Sequence, residues 1–426
     1  MSLLKKFQAK INRSEFVRNT AVLVSGTTIA QLLPLAITPI LSRMYNAEDF
    51  GALTLFMTIT IWGSYFVNGR YELAIVLPKK DDYSFNLLAF SVLLAAVSSV
   101  FLFFVIWIFH QPIVNVLNAQ NISTWLFFVP IVIFLLSAYN SLTYYHTKVK
   151  NFKLLAQSQV VRSGATSLLQ ILLFFTNSGI MALVGGYSVG QLSGNLGMLK
   201  MFFKDNALLK SIKKAKMWAL AKRYKRFPQV QMPSTMLNRL GNDLPNLLLN
   251  PFYGADILGL YSFGYRLLTI PSAFIGASVS NVFLQAATDE YHKTGKSSKI
   301  YTSVFKKLVL VGAPFFIVLA ITAKPVFAFV FGKQWAMAGF YSQILSPLLF
   351  ARFVTSVMSS VLYVFEKHKI IFITQLFLFL ITLSIFVAAH FLKWNFVLFL
   401  SVFSISLTLY YIVYCFITWL VANKKI

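Results

Sequence analysis

The stretch whose reading decides the fold is "KDNALLKSIKKAKMWALAKRYKRF", Lys204–Phe227, which carries nine positive charges and one negative. Nearly everything flanking it is apolar. Of the 426 residues, 58% are hydrophobic and 12% charged, whereas a soluble domain is about a quarter charged. On both sides of the basic stretch, apolar runs reach the ~20 residues that carry a helix across a bilayer. In lipid such a run satisfies its own backbone only as a helix, since barrel strands would read as short alternating segments. The sequence therefore predicts an all-α polytopic membrane protein.

Working outward, six runs precede the basic stretch and six follow it. They lie at roughly 19–44, 49–77, 83–109, 122–146, 154–176 and 179–203, then 229–253, 256–287, 303–331, 338–365, 369–392 and 395–421, each about long enough to span. The expected organisation is an N-terminal six-helix bundle (1–203), a basic cytoplasmic linker (204–228) and a C-terminal six-helix bundle (229–426). With the N-terminus in the cytoplasm, 28 of the 38 lysines and arginines fall in cytoplasmic pieces. Only Arg43, Lys333 and Lys393 fall in the opposite loops. That asymmetry predicts twelve spans with N- and C-termini cytoplasmic. The first run continues past Pro34 and Pro39 to Met44, too long for a signal-peptide core, and reads as the first membrane helix. Within the linker Leu208, Ile212, Ala215 and Ala219 recur at helical spacing with lysines between them. This predicts an amphipathic helix on the anionic inner leaflet, with a solvated loop as the plainer alternative.

The net charge of +26 does not point to nucleic acid, because the charges lie in short pieces between apolar runs. Cys415 is the single cysteine, so no intrachain disulfide forms. No Walker-type phosphate loop, HExxH or CxxC occurs, and neither cofactor nor metal is expected. The five histidines (His110, His146, His292, His368 and His390) are scattered.

The halves share a pattern. "YNAEDFGAL" (Tyr45–Leu53) and "YGADILGLY" (Tyr253–Tyr261) align at an offset of 208 residues, pairing Ala47 with Ala255, Glu48 with Asp256 and Gly51 with Gly259. The acids Glu48 and Asp256 are expected to cap the second helix of each half. Six spans per half make this a parallel repeat, an architecture that encloses a central site and alternates its access.

Seven basic residues fall inside predicted spans: Arg70, Arg162, Lys200, Arg239, Arg266, Lys324 and Arg352. Lys200 lies near an inner end, and Arg162 and Lys324 lie within reach of headgroups. Arg239, Arg266 and Arg352 are nearer mid-span, where facing lipid would cost each roughly 2.5–3.5 kcal/mol. Only Glu72 and Asp243 are acids well inside spans. Arg239 and Asp243 are spaced for an i,i+4 ion pair, whereas Arg70 and Glu72 should point to different helix faces. The positive excess predicts a cationic central cavity for a phosphate, diphosphate or acidic sugar. Its substrate-binding candidates are Arg239, Arg266 and Arg352, with Arg70 and Arg162. The competing role for each is bridging helices through backbone carbonyls. Asp243, and after it Glu72, are the candidate carboxylates for coupling to H+ or Na+. Pro34, Pro39, Pro245 and Pro271 mark helices suited to bending. Trp335 and Trp394 fit an aromatic belt at the outer face.

Three stretches carry a family resemblance: "SRMYNAEDFGALTLF" (Ser42–Phe56), "FYGADILGLYSFGYRLLTIPSAFIGASVSNVFLQAATDEY" (Phe252–Tyr291) and "FGKQWAMAGFYSQILSPLLFARFVTS" (Phe331–Ser356). The chain resembles the Wzx-type polysaccharide flippases, the oligosaccharide-lipid branch of the multidrug/oligosaccharidyl-lipid/polysaccharide exporter superfamily. The resemblance implies a multi-pass protein of the bacterial inner membrane, a transporter and not an enzyme, with twelve helices in two bundles. Such proteins move undecaprenyl-diphosphate-linked oligosaccharide repeat units from the cytoplasmic to the periplasmic leaflet. Polymerisation into O-antigen of lipopolysaccharide, capsule or exopolysaccharide follows, which implies a polymerase as partner and an ion gradient as drive. Two alternatives are weaker. An efflux antiporter for cationic drugs should show an acidic cavity. A membrane polymerase or ligase should show a large periplasmic loop, and the outer loops here are short.

Overall fold

The computed structural model describes residues 15–176, 179–200 and 209–425. Among the described residues there is no strand, and the helices are α1 (Glu15–Met44), α2 (Ala47–Val67), α3 (Asp81–Ile108), the short α4 (His110–Leu117), α5 (Val129–Lys148), α6 (Phe152–Phe174), α7 (Ile180–Leu199), the short α8 (Lys214–Arg223), α9 (Met232–Tyr253), α10 (Ala255–Thr294), α11 (Ser298–Phe331), α12 (Ala336–Met358), α13 (His368–Phe391) and α14 (Phe396–Ala422). Eight of them, α1, α2, α3, α5, α11, α12, α13 and α14, are long and apolar enough to cross a membrane. This is a multi-pass membrane protein. Helices α6, α7, α9 and α10 are as long but carry more glycine and polar side chains, which lowers their apolar content.

The chain forms two compact units. The first comprises Met1–Tyr45 and Leu55–Met236, the second Asn46–Thr54 and Leu237–Ile426. In the first unit α6 packs along α7 and against α1, while α3 packs on α5. The α6–α7 seam is written in glycine. A Cβ at Gly190 would stand 1.9 Å from Thr166 Oγ1, and one at Gly186 2.7 Å from Gln170. Small residues four apart let membrane helices approach to backbone contact, where dispersion and not hydrophobicity holds them.

The linker ends as α8, docked on the same unit. Its Met217, Leu220 and Ala221 are buried, while Ile212, Ala215 and Ala219 are exposed; Leu208 lies outside the described residues. Asn86 on α3 grips the approach to α8 on both sides: Nδ2 donates to Ser211 O at 3.1 Å, and Oδ1 accepts from Lys213 N at 3.0 Å. Lys216 pairs with Asp82 at 2.7 Å. Both ends of that pair are about one-third exposed, so it contributes at most about 1 kcal/mol.

In the second unit α12 is central, contacted by α10, α11 and α14. The repeated motif meets its own copy here. A Cβ on Gly51 would lie 1.8 Å from Ala255 O, and one on Gly259 1.7 Å from Ala47 O. Thr54 and Ser262, again 208 residues apart, share a 2.9 Å hydroxyl hydrogen bond. Equivalent residues thus cross reciprocally at a point only glycine can occupy. Two sequence expectations change at this end of the unit. The cap of α2 is Asn46, not Glu48: Asn46 Oδ1 accepts from Asp49 N at 2.8 Å and Asp49 Oδ2 from Asn46 N at 3.2 Å, a reciprocal capping box. Trp335 is not a belt residue; it is 0% exposed, stacked on Phe263 at 3.9 Å and edge-on to Phe50 at 5.2 Å. Its ring is spent on filling the core beside the glycine crossing.

Candidate functional site

In the first unit the decisive local event is where α2 stops. The apolar run predicted a span to residue 77, but the helix ends at Val67. Gly69 and Arg70 take left-handed φ values of 56° and 60°, and the chain turns into a 3-10 segment, Tyr71–Val76. Glu72 therefore lies beyond the span, not within it. The corner also undoes the expectation that Arg70 and Glu72 diverge: Arg70 Nη1 donates to Glu72 Oε1 at 2.8 Å. Helical spacing does not apply across a left-handed residue.

The pair is deep. Glu72 is 0% exposed and Arg70 13%, with the guanidinium 4.8 Å from the Tyr65 ring centroid. Arg70 Nε is buried with no hydrogen-bond partner among the described residues. Burial pushes the Glu72 carboxyl up to about 7, outweighing the Arg70 charge and the nearby polar groups of the backbone and Asn68, which lower it. Desolvation beats the ion pair here. Tyr71 turns the other way and donates to Ala221 O of α8 at 3.1 Å.

Arg162, on α6, stands apart from that pair. Its guanidinium sits 4.5 Å from the Tyr139 ring centroid, a cation–π contact favoured where water is scarce. A Cβ at Gly194 of α7 would crowd Arg162 Cβ at 3.0 Å, so the glycine seam also sets where this arginine lies.

The second unit brings most of the other candidates together. On α9, Arg239 Nη1 lies 3.5 Å from Asp243 Oδ2, the i,i+4 pair its spacing allows. From α12, Arg352 Nη2 donates to Asn242 Oδ1 at 3.1 Å and Nη1 donates to the Tyr265 hydroxyl on α10. Tyr265 is stacked on Tyr261, ring centroids 5.6 Å apart, and Tyr261 lies within the field of both Arg352 and Asp243. Arg352 thus ties three helices through neutral acceptors. Counting Arg239, Arg352 and Asp243, the cluster is one charge positive. Arg266 follows Tyr265 on α10 and is exposed.

Two of the five Arg352 N–H donors are engaged by these neutral groups. The remainder suit the planar, two-pronged recognition of a phosphate that lysine cannot match. Sequence reading found the arginines and missed their holders. Tyr65, Tyr139 and Tyr265 contact their arginines from other turns or other helices, so no local spacing announces them; only the Tyr261–Tyr265 i,i+4 repeat was there to be seen.

Residues 40–340 match the family described as polysaccharide biosynthesis protein. The chain belongs to that polysaccharide biosynthesis family. Among curated relatives it is similar to the succinoglycan biosynthesis transport protein ExoT of Rhizobium meliloti (strain 1021), 21% identical over 77% of this chain and 65% of that one. A shorter match, 30% identical over 26% of this chain and 23% of the relative, is to the teichuronic acid biosynthesis protein TuaB of Bacillus subtilis (strain 168). The chain thus spans just under two thirds of one relative and about a quarter of the other. Among solved structures, the family member's fold resembles the lipid II flippase MurJ in an inward closed conformation, with TM-score 0.74 and 13% identity over 95% of this chain and 87% of that one. It equally resembles an inward-facing MATE family transporter of the MOP superfamily, with TM-score 0.73 and 12% identity over 95% and 97%.

Proposed function

We propose that this protein is a flippase for undecaprenyl-diphosphate-linked oligosaccharide repeat units, moving them from the cytoplasmic to the periplasmic leaflet of a bacterial inner membrane. In this reading the chain has twelve spans with both termini cytoplasmic. Two six-helix halves, 1–203 and 229–426, are joined by the basic linker 204–228 and expose cationic groups alternately to the two leaflets. The protein transports and catalyses no bond change.

The observation that carries the reading is Arg352: a guanidinium among helices of a polysaccharide-biosynthesis family member, held by Asn242 and Tyr265 and, among the described residues, by no carboxylate. A diphosphate is the group in a lipid-linked glycan that such a donor recognises. Arg239 and Arg266 on the same unit are further cationic candidates, as are Arg70 and Arg162 within the first unit. A lipophilic cation would meet the wrong sign of charge, which disfavours drug efflux. Proton coupling falls to Glu72, whose buried carboxyl changes charge near neutral pH, with Asp243 as the second carboxylate; a Na+ gradient is the alternative drive.

Depletion in the host bacterium tests this. The account expects lipid-linked repeat units to accumulate with their glycan inaccessible from the periplasm, and a polymerase acting downstream to be starved of substrate. Accumulation on the periplasmic side would overturn the reading and point to a polymerase or ligase.

A further inference from the structure

The second unit contains a cavity that none of the charged residues above touches. It has a volume of about 630 Å³ and runs along α11, α12 and α14. On α14 it extends from Thr408 to Trp419, roughly 16 Å of helix at 1.5 Å per residue. Its floor is buried, formed by Tyr301, Val354 and Tyr411. Its rim is open, with Ile412 55% and Phe416 57% exposed.

Of the five lining hydroxyls, those of Tyr301, Thr302, Thr355, Thr408 and Tyr411, the first four are turned away. Tyr301 OH donates to Cys415 O at 2.9 Å, Thr302 Oγ1 to Ser298 O at 2.9 Å, Thr355 Oγ1 to Tyr411 O at 3.1 Å and Thr408 Oγ1 to Ser404 O at 2.6 Å. What the groove presents is hydrocarbon and aromatic surface, which suits a ligand segment with nothing to hydrogen-bond. One lining residue is charged: Lys306, exposed on α11. At the end of the groove nearest Tyr301, Ser297 N donates to Ala422 O at 2.9 Å and Lys425 caps the Trp419 ring at 4.9 Å, while Lys306 lies further along α11. A long apolar slot with a cation at its rim complements an anionic lipid with one extended chain.

We propose that this groove seats the polyprenyl chain of a polyprenyl phosphate or diphosphate lipid, with the phosphate at Lys306. The choice of a polyprenyl over an acyl chain rests on the flippase reading; the groove and its cation do not. The consequence for transport is that the tail is guided by the second unit while the head group moves, and does not simply trail in bulk lipid.

The test uses the full chain in nanodiscs and a diazirine-bearing polyprenyl phosphate with no sugar. Labelling should concentrate on peptides spanning 301–309 and 408–419. Unlabelled polyprenyl phosphate should compete at least tenfold better than phosphatidylglycerol or uncharged polyprenol. Ile412→Trp, a rim substitution the fold can absorb, should cut labelling at least fivefold, and Lys306→Glu should do so for the phosphate but not for polyprenol. As an independent readout without any variant, polyprenyl phosphate should slow reaction of the sole thiol, Cys415, with an apolar maleimide by fivefold or more. Labelling spread evenly over helix surfaces, or competed equally by phosphatidylglycerol, would overturn the assignment. No glycan is needed, so an unlabelled groove in a protein that still flips glycolipid sinks the groove alone. A labelled groove in a protein that flips nothing sinks the flippase reading alone.

Discussion

Arg352, half-buried, and Glu72, fully buried, are two ionisable groups with opposite solutions. The Arg352 guanidinium is steadied by the neutral oxygens of Asn242 and Tyr265, and the flippase reading makes a diphosphate its proposed anion. Glu72 has a cation at 2.8 Å, yet the loss of water outweighs it and its carboxyl is pushed up to about 7. The sign of the resulting pH effect follows from proton counting. Between about pH 4.5 and 7 the folded protein holds the Glu72 proton and the unfolded chain has lost it. Stability from this group is therefore greatest below pH 4.5, falls as pH rises to 7 and is flat above. The full swing is of order 3 kcal/mol. Arg70, Tyr65 and Tyr144 carry the charge and phenols that act on this corner. Glu72→Gln should accordingly be as stable as wild type near pH 4.5 and more stable at pH 7.5. Thermal melts of the two proteins in nanodiscs across that range would check it; parallel curves would mean that Glu72 titrates as an ordinary surface carboxylate.

Between elements, the deciding contacts are glycines at crossings. Gly51 and Gly259 are equivalent positions of one repeat, and each presses on the other copy's backbone. Neither can gain a methyl group without moving a helix, and overpacking of this kind costs about 1–3 kcal/mol. Gly197 of α7 has nothing within 4 Å of a built Cβ. Gly51→Ala should thus destabilise by that amount, while Gly197→Ala should be neutral or stabilising by up to about 1 kcal/mol. Denaturation midpoints would decide, and equal effects at both positions would refute the crossing. This crossing was half legible: the sequence showed the motif twice at an offset of 208 residues, but not that the two copies touch. The corner at Gly69–Arg70 was not legible at all. The apolar run continues through Tyr71–Val76, and hydropathy registers burial, not the left-handed φ that ends a helix. Trp335 failed for a related reason: an aromatic near a span end reads as interfacial until its neighbours, Phe50 on α2 and Phe263 on α10, enclose it.

For the molecule as a whole, the bilayer makes some properties easy to read. It demands apolar runs of fixed length and sorts positive charge to one side, so the helical class and a basic break near the middle follow from one dimension of sequence. The proposed binding chemistry does not, because the setting of Arg352 comes from Asn242 on α9 and Tyr265 on α10, residues brought to it only by the fold. The most direct measurement is leaflet exchange by the purified chain. Proteoliposomes carrying a polyprenyl-diphosphate oligosaccharide on the inner leaflet would be probed with an impermeant glycan-specific reagent outside. The account predicts that wild-type protein exposes the glycan well above empty vesicles and that Arg352→Ala, correctly inserted, slows exposure at least tenfold, corresponding to the loss of a charge-assisted hydrogen bond of about 1.5–3 kcal/mol. Undiminished exchange by Arg352→Ala would contradict it.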